Sequence, residues 1–262
     1  MNAVLLARLQ FALTAGFHFL YPPTTLGLSL VILLVETLSL RGRGEEYEKL
    51  NAFLIKLLGA LFVVGTATGI TLEFAFGTNW AEYSRTVGNL FGPFLAAEGI
   101  FAFFLESVFL GVLLFGRSRV SARAYWWSTL FLFLGSHLSA LWILVANSWM
   151  QTPSGYRMEG KIAVLEDFWE ALFNPSTLIR FAHTLSASWV TGSLVCAAIG
   201  AWLILKGSRK DHGKRLLRIS LFLFAFSGVL QLFLGHGHSV QVARTQPEKM
   251  AAFEGLWETQ RG

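Results

Sequence analysis

Six uninterrupted apolar runs, at residues 11–39, 52–74, 94–116, 124–148, 177–205 and 216–236, constrain this chain more than any motif it contains. A helix that crosses a bilayer needs about 20 mainly apolar residues, and each run supplies them. The runs are continuous and rich in Leu, Phe and Ala, without the alternation of a membrane β-barrel. An all-α bundle of about six transmembrane helices is therefore expected. The first run starts too late for a removable signal peptide and carries no small-residue cleavage site, so it reads as a retained span. Composition agrees: 14% of the side chains are charged, against roughly 25% in soluble domains. That excludes disorder, a coiled coil and an ordinary water-soluble core. A net charge of +5 on a chain with mean hydropathy +0.54 indicates basic loops at a membrane face, with no nucleic acid as partner. Cys196 is the lone cysteine, so neither a disulfide framework nor a cysteine-built metal site is expected.

The basic residues orient the spans. Arg41, Arg43 and Lys49 flank the first connection, Arg117, Arg119 and Arg123 the third, and Lys206, Arg209, Lys210, Lys214, Arg215 and Arg218 the fifth. These are twelve of the 21 lysines and arginines. The other side holds Arg8, Arg85, Arg157, Lys161, Arg244, Lys249 and Arg261 over longer segments. The positive-inside bias then makes the odd connections cytoplasmic and places both termini outside. Trp80, Trp149, Trp169 and Trp257 on the outer side are candidates for an interfacial belt.

A charge inside hydrocarbon costs at least ~2.5–3.5 kcal/mol, so each intramembrane ionisable residue needs a reason. The main cases are His18, Glu98, Glu106, His137 and His183, while Glu36, Lys56 and Glu73 lie near span ends and can snorkel. His18 and His183 sit towards the outer ends of their spans. A neutral imidazole there can ligate haem iron, or can simply hydrogen-bond a neighbouring helix. Glu98 and Glu106 share one helix, offset by about 80° and about 12 Å along its axis. Ser107 adds a hydroxyl next to Glu106. Two stacked carboxyls have the pattern of a proton relay, or of two neutral acids that only pack. Phe101, Phe103, Phe104 and Phe109 read as packing and lipid-facing bulk. His236-Gly-His238 closes the last apolar run at the outer surface, where a solvated helix end or a metal pair would both suit it. No HExxH, CxxCH, phosphate loop or nucleophile elbow is present.

Several strings carry a family resemblance. Arg8-Leu-Gln-Phe-Ala-Leu-Thr through His18-Phe-Leu-Tyr-Pro-Pro resembles the start of subunit I of bacterial cytochrome bd quinol oxidases. So do Ala67-Thr-Gly-Ile, Glu73-Phe and Gly77-Thr-Asn-Trp. Ala96-Ala-Glu-Gly-Ile-Phe-Ala-Phe-Phe-Leu-Glu-Ser and Ser139-Ala-Leu-Trp-Ile-Leu-Val-Ala-Asn-Ser-Trp-Met-Gln resemble it equally, and the likeness runs from Arg8 to Gln260. The resemblance implies oxidation of quinol near the outer face and reduction of O₂ to water, with protons drawn from the cytoplasm. It implies a low-spin haem b, and haem d or a high-spin haem b at the oxygen site. By that likeness His18 is the axial ligand of the high-spin haem, Glu98 stands beside that haem, and Glu106 with Ser107 belongs to the inner proton path. Lys56 and Asn147 fall on polar channel positions. His183 matches a low-spin haem b ligand, and Lys249 and Glu254 match a quinol-associated pair. Residues 1–236 then form the haem-binding bundle, and residues 237–262 the start of a quinol-binding loop on the outer face.

The resemblance also implies more chain than is present. In the family, further helices supply a methionine for the low-spin haem, a glutamate for the second high-spin haem and an arginine-rich motif. Met150, Met158 and Met250 do not align with that methionine. The expectation is a bacterial or archaeal cytoplasmic-membrane complex, with a second and small additional membrane subunits, one of them supplying missing haem ligands. A split subunit, part of a longer polypeptide, and a homologue with fewer haems all fit the sequence. Two rival functions stay open at this point. One is a haem b electron-transfer subunit of a quinone-linked complex without oxygen chemistry; the other is a haem-free channel that uses the glutamate stack.

Overall fold

The computed structural model describes residues 2–42, 44–207 and 209–258, apart from the side chains of residues 101 and 102. Arg43, Gln260, Arg261 and the Phe101 side chain lie outside the described residues. Six stretches are long and apolar enough to cross a membrane: Ala3–Leu40, Glu45–Thr78, Ala81–Phe115, Ala122–Trp149, Phe168–Leu205 and Lys210–Thr245. At 1.5 Å per residue the shortest, of 28 residues, is roughly 42 Å long, beyond the ~30 Å of hydrocarbon. The six runs become six helical stretches, each reaching past its apolar run.

Three stretches depart from a plain helix, each for a local reason. The first divides into α1 (Ala3–His18) and α2 (Tyr21–Leu40). Pro22 and Pro23 lack amide donors and their rings clash with the preceding turn, so the ladder stops at His18 and restarts at Tyr21. After α3 (Glu45–Thr78), the next stretch runs as α4 (Ala81–Ala97), a π-helical segment (Glu98–Phe103) and α5 (Phe104–Phe115), with Pro93 inside α4. Following α6 (Ala122–Trp149), the chain makes a hairpin of β1 (Tyr156–Glu159) and β2 (Ile162–Leu165), turned at Gly160 with φ 62°. The short α7 (Phe168–Leu172) leads into α8 (Thr177–Leu205). Then α9 (Lys210–Thr245) continues about two turns past His238 before α10 (Pro247–Phe253). His236 and His238 are therefore inside a helix rather than at its end, because a helix leaving the hydrocarbon keeps its backbone bonds.

Helix α2 is central: Leu28, Val31, Ile32 and Val35 are all buried in one core cluster. It meets α8 through backbone. A Cβ on Gly27 would collide with the Ser188 carbonyl oxygen, and one on Gly192 with the Gly27 backbone. Small residues permit this approach where lipid offers no hydrophobic drive between helices. Neither obstacle is a flexible side chain, so Gly192→Ala should destabilise the bundle by about 1–3 kcal/mol. Thermal unfolding in detergent checks this, and an unchanged midpoint contradicts it.

The three odd connections converge at one end. Glu36 of α2, 1% exposed, accepts hydrogen bonds from Asn51 Nδ2 at 2.6 Å and Arg117 Nη1 at 2.8 Å. Arg117 also pairs with Glu48 at 2.9 Å and stacks 4.5 Å over Tyr125. Glu46 approaches His212 at 3.4 Å, and Arg215 lies 5.1 Å over Tyr47. Glu36 thus does not snorkel; a buried carboxylate left alone is costly, and this one is held by a guanidinium and an amide. The hairpin and α7 close the opposite end over Val87, Phe91, Phe94, Val145 and Trp149. Trp149 is buried there against Phe91 and Tyr156, not in an interfacial belt, whereas Trp169 and Trp257 are exposed.

Candidate functional site

His18 ends α1 and leans on α3. Its Nδ1 lies 2.9 Å from Thr68 Oγ1. The Thr68 hydroxyl also lies 3.0 and 2.9 Å from the Val64 and Gly65 carbonyls. With its proton on either carbonyl, the hydroxyl oxygen accepts from His18 Nδ1–H and Nε2 keeps its lone pair. That is the tautomer an axial ligand requires. The ring edge rests on Gly69, where a Cβ would stand 3.2 Å from Cε1. Beside it, Leu13, Thr14, Phe17, Thr68 and Thr71 line an open cleft of about 400 Å³. The donor chemistry and the space both suit a haem here.

His137 shows the contrast. Its Nδ1 faces the Phe133 carbonyl at 2.8 Å and its Nε2 accepts from Trp189 Nε1 at 3.0 Å. Both nitrogens are engaged, so this histidine is a neutral packing element of α6 and α8.

His183 lies on α8 against α9. Gln231 Nε2 is 3.2 Å from its Nδ1 and 3.1 Å from its Nε2, and the His238 ring centroid is 5.2 Å away. A Cβ on Gly235 would meet its Cε1 at 3.5 Å. An amide atom so nearly equidistant from both ring nitrogens stands over the ring face, so Gln231 occupies neither in-plane nitrogen and the imidazole fits as an iron ligand, unlike that of His137. Arg180, one turn along α8, reaches Asn147 Oδ1 at 3.4 Å. Lys249 of α10 donates to Gln151 Oε1 at 2.8 Å and hovers 5.9 Å from the Phe253 ring. Burial first, then the positive charge of Arg180, draws the Lys249 ammonium below the ordinary lysine range. Glu254 caps α10 and is exposed, and among the described residues it makes no ion pair with Lys249. The structure thus gathers His183, Arg180, Asn147 and Lys249 at one end of the bundle. Among the described residues, the His238 Nε2 is buried there without a partner.

Glu98 and Glu106 are closer to one face than an α-helical spacing gives. A π turn absorbs one extra residue, so their eight-residue interval acts like seven, about 700°, within roughly 20° of alignment. Both face α6. Ser139 donates to Glu98 Oε1 at 3.2 Å, and Ser136 and Gly135 lie beside Glu106. Ser107 instead donates to the Phe103 carbonyl of its own helix at 2.8 Å. Ser136 and Ser139 were not singled out as glutamate partners, although Gly135-Ser-His-Leu-Ser139 is a polar cluster in mid-span. Lys56 is far along α3, at the ion-paired end, where it borders a cavity of about 280 Å³ with Glu36, Glu48, Asn51 and Arg117. The predicted residues thus fall into two separate histidines, His18 on α1 and His183 on α8, a carboxyl line facing α6, and polar groups at the two ends.

Residues 6–262 match the sequence model of a family described as cytochrome bd terminal oxidase subunit I. The chain is 44% identical over 259 residues to cytochrome bd-II ubiquinol oxidase subunit 1 of Escherichia coli, covering 97% of this chain and 50% of that protein. It is 38% identical over 258 residues to cytochrome bd ubiquinol oxidase subunit 1 of Bacillus subtilis, covering 98% and 55%. The solved structure of bd oxidase from Geobacillus thermodenitrificans is similar at a TM-score of 0.92 and 28% identity, over 97% of this chain and 59% of that one. The chain spans about half the length of the curated relatives it matches.

Proposed function

Because the chain belongs to the cytochrome bd terminal oxidase subunit I family, we propose that it is the haem-bearing part of a quinol:O₂ oxidoreductase of a bacterial or archaeal cytoplasmic membrane. The observation that carries this reading is the two imidazoles, His18 beside Gly69 with Thr68 at its Nδ1, and His183 beside Gly235 with Gln231 over its ring. Haem iron bound there supplies one-electron transfer and oxygen reduction. His18 holds the high-spin haem, d or b, and His183 the low-spin haem b. A second and small additional membrane subunits complete the assembly.

The remaining groups position substrate and protons. Lys249, fixed by Gln151, offers an ammonium to a quinol oxygen, and Glu254 at the end of α10 accepts a quinol proton. With the odd connections cytoplasmic, Lys56 stands at the proton entrance and Glu106 precedes Glu98 on the way to the oxygen site. The two carboxyls are about 10 Å apart along the axis, so Ser139, Ser136 and water bridge them. Asn147 contributes a polar wall near Arg180. Residues 1–236 form the haem bundle, and residues 237–262 open the quinol loop.

Quinol-driven oxygen uptake by the purified complex tests this reading. Wild-type complex is expected to consume oxygen, and His18→Ala to bring uptake to background with loss of the CO-reactive signal. Undiminished uptake and CO binding in that variant overturn the assignment of His18.

A further inference from the structure

Helix α9 packs by one side and presents a charged and apolar stripe on the other. Gly213, Leu216, Ser220, Leu223 and Ser227 are buried along the packed side. At 100° per residue, Lys210, Lys214, Arg218, Leu221, Val229 and Leu232 point away from it, within a sector about 100° wide. All six are exposed. The three cations occupy the first turns and cover about 12 Å of helix. The apolar members follow over about 16 Å, close to the hydrocarbon depth of one leaflet.

The charge on this stripe is not answered from within. Asp211 is the sole acid between Lys206 and His236. Among the described residues, Lys210, Lys214 and Arg218 make no ion pair. Lys210 reaches back towards the end of α8, where its Cε would lie 3.7 Å from a Cβ on Gly207. One residue before that glycine, Lys206 Nζ stands 4.6 Å from the ring centre of Trp202, which is exposed. A tryptophan beside a lysine at a helix end marks the headgroup level.

We propose that this face of α9 seats an anionic phospholipid, its phosphate among Lys210, Lys214 and Arg218 and an acyl chain along Leu221, Val229 and Leu232. Basic side chains directly above a lipid-facing span attract anionic headgroups. Arg218, at the start of the apolar run, extends its guanidinium along the helix to the same level. A protein partner on this stripe would have to bring carboxylates to all three cations and an apolar strip in line with them. The site is independent of the haem and quinol assignments.

The test uses phosphatidylglycerol with a photoreactive acyl chain, at trace level in phosphatidylcholine nanodiscs that hold the purified complex. Labelling of residues 219–233 is expected, displaced by unlabelled phosphatidylglycerol and not by the same amount of added phosphatidylcholine. Raised salt should weaken it. The triple variant Lys210→Gln, Lys214→Gln, Arg218→Gln should lower labelling there on the order of 100-fold, about fivefold for each cation. Arg85→Gln, at the other end of the bundle, should leave it unchanged. The competition in wild type reads the same property should the triple variant not fold. Displacement by phosphatidylcholine as effective as by phosphatidylglycerol overturns the proposal, and so does full labelling of a folded triple variant. An unlabelled α9 whose lysines instead cross-link to carboxylates of a co-purifying subunit assigns the face to protein and likewise overturns it.

Discussion

His183→Ala is expected to abolish the low-spin haem b bands of the complex while leaving the CO-reactive high-spin signal in place. The reason lies in how the two imidazoles are held. His183 belongs to the α8–α9 pair and packs against Gln231, whereas His18 belongs to α1 and meets Thr68 of α3. They share no hydrogen-bond partner, so deletion of one leaves the other's support intact. Other histidines near His183 do not substitute readily. His137 has both nitrogens engaged, and His238 sits on a different helix with its ring tilted 58° to that of His183. Low-spin bands that survive the substitution place the ligand elsewhere.

Glu106→Gln and Glu98→Gln are expected to slow quinol-driven oxygen reduction on the order of 10²-fold, with haem content nearly unchanged. Glutamine keeps the volume and can still accept from Ser139 at Glu98, but it cannot take up and release a proton. Both side chains face α6 and neither is in hydrogen-bond contact with His18 or His183, which is why haem content should hold. Ser139→Ala should act in the same direction and less strongly, since water can take the hydroxyl's place. Turnover at the wild-type rate in both glutamine variants removes the carboxyl line from the mechanism.

Much of this arrangement is legible in sequence because membrane spans are set by run length, and all six runs became helical stretches. The depth of His18, Glu98, Glu106 and His183 followed from the same count. What sequence did not convey depended on backbone bonding or on inter-helix register. The run 11–39 reads as one apolar span, yet Pro22 and Pro23 divide it, and only then does His18 terminate a helix leaning on Thr68. The π segment changes no residue type, so the near alignment of Glu98 with Glu106 was invisible to a spacing of 100° per residue. Glu36 reads as an end residue because its partners, Asn51 and Arg117, are 15 and 81 positions away. The contact of Gln231 with His183 likewise waits on the α8–α9 register. Four-residue strands such as Tyr156–Glu159 are too short to leave a period in the sequence.

We propose that His18 and His183 hold two haems of different spin in the complex. Reduced-minus-oxidised and CO-difference spectra of the complex purified from its native membrane, with every co-purifying chain identified, test it most directly. The account predicts a low-spin haem b together with a CO-reactive high-spin haem and at least one further membrane subunit. A preparation with low-spin haem alone, or without haem, contradicts it.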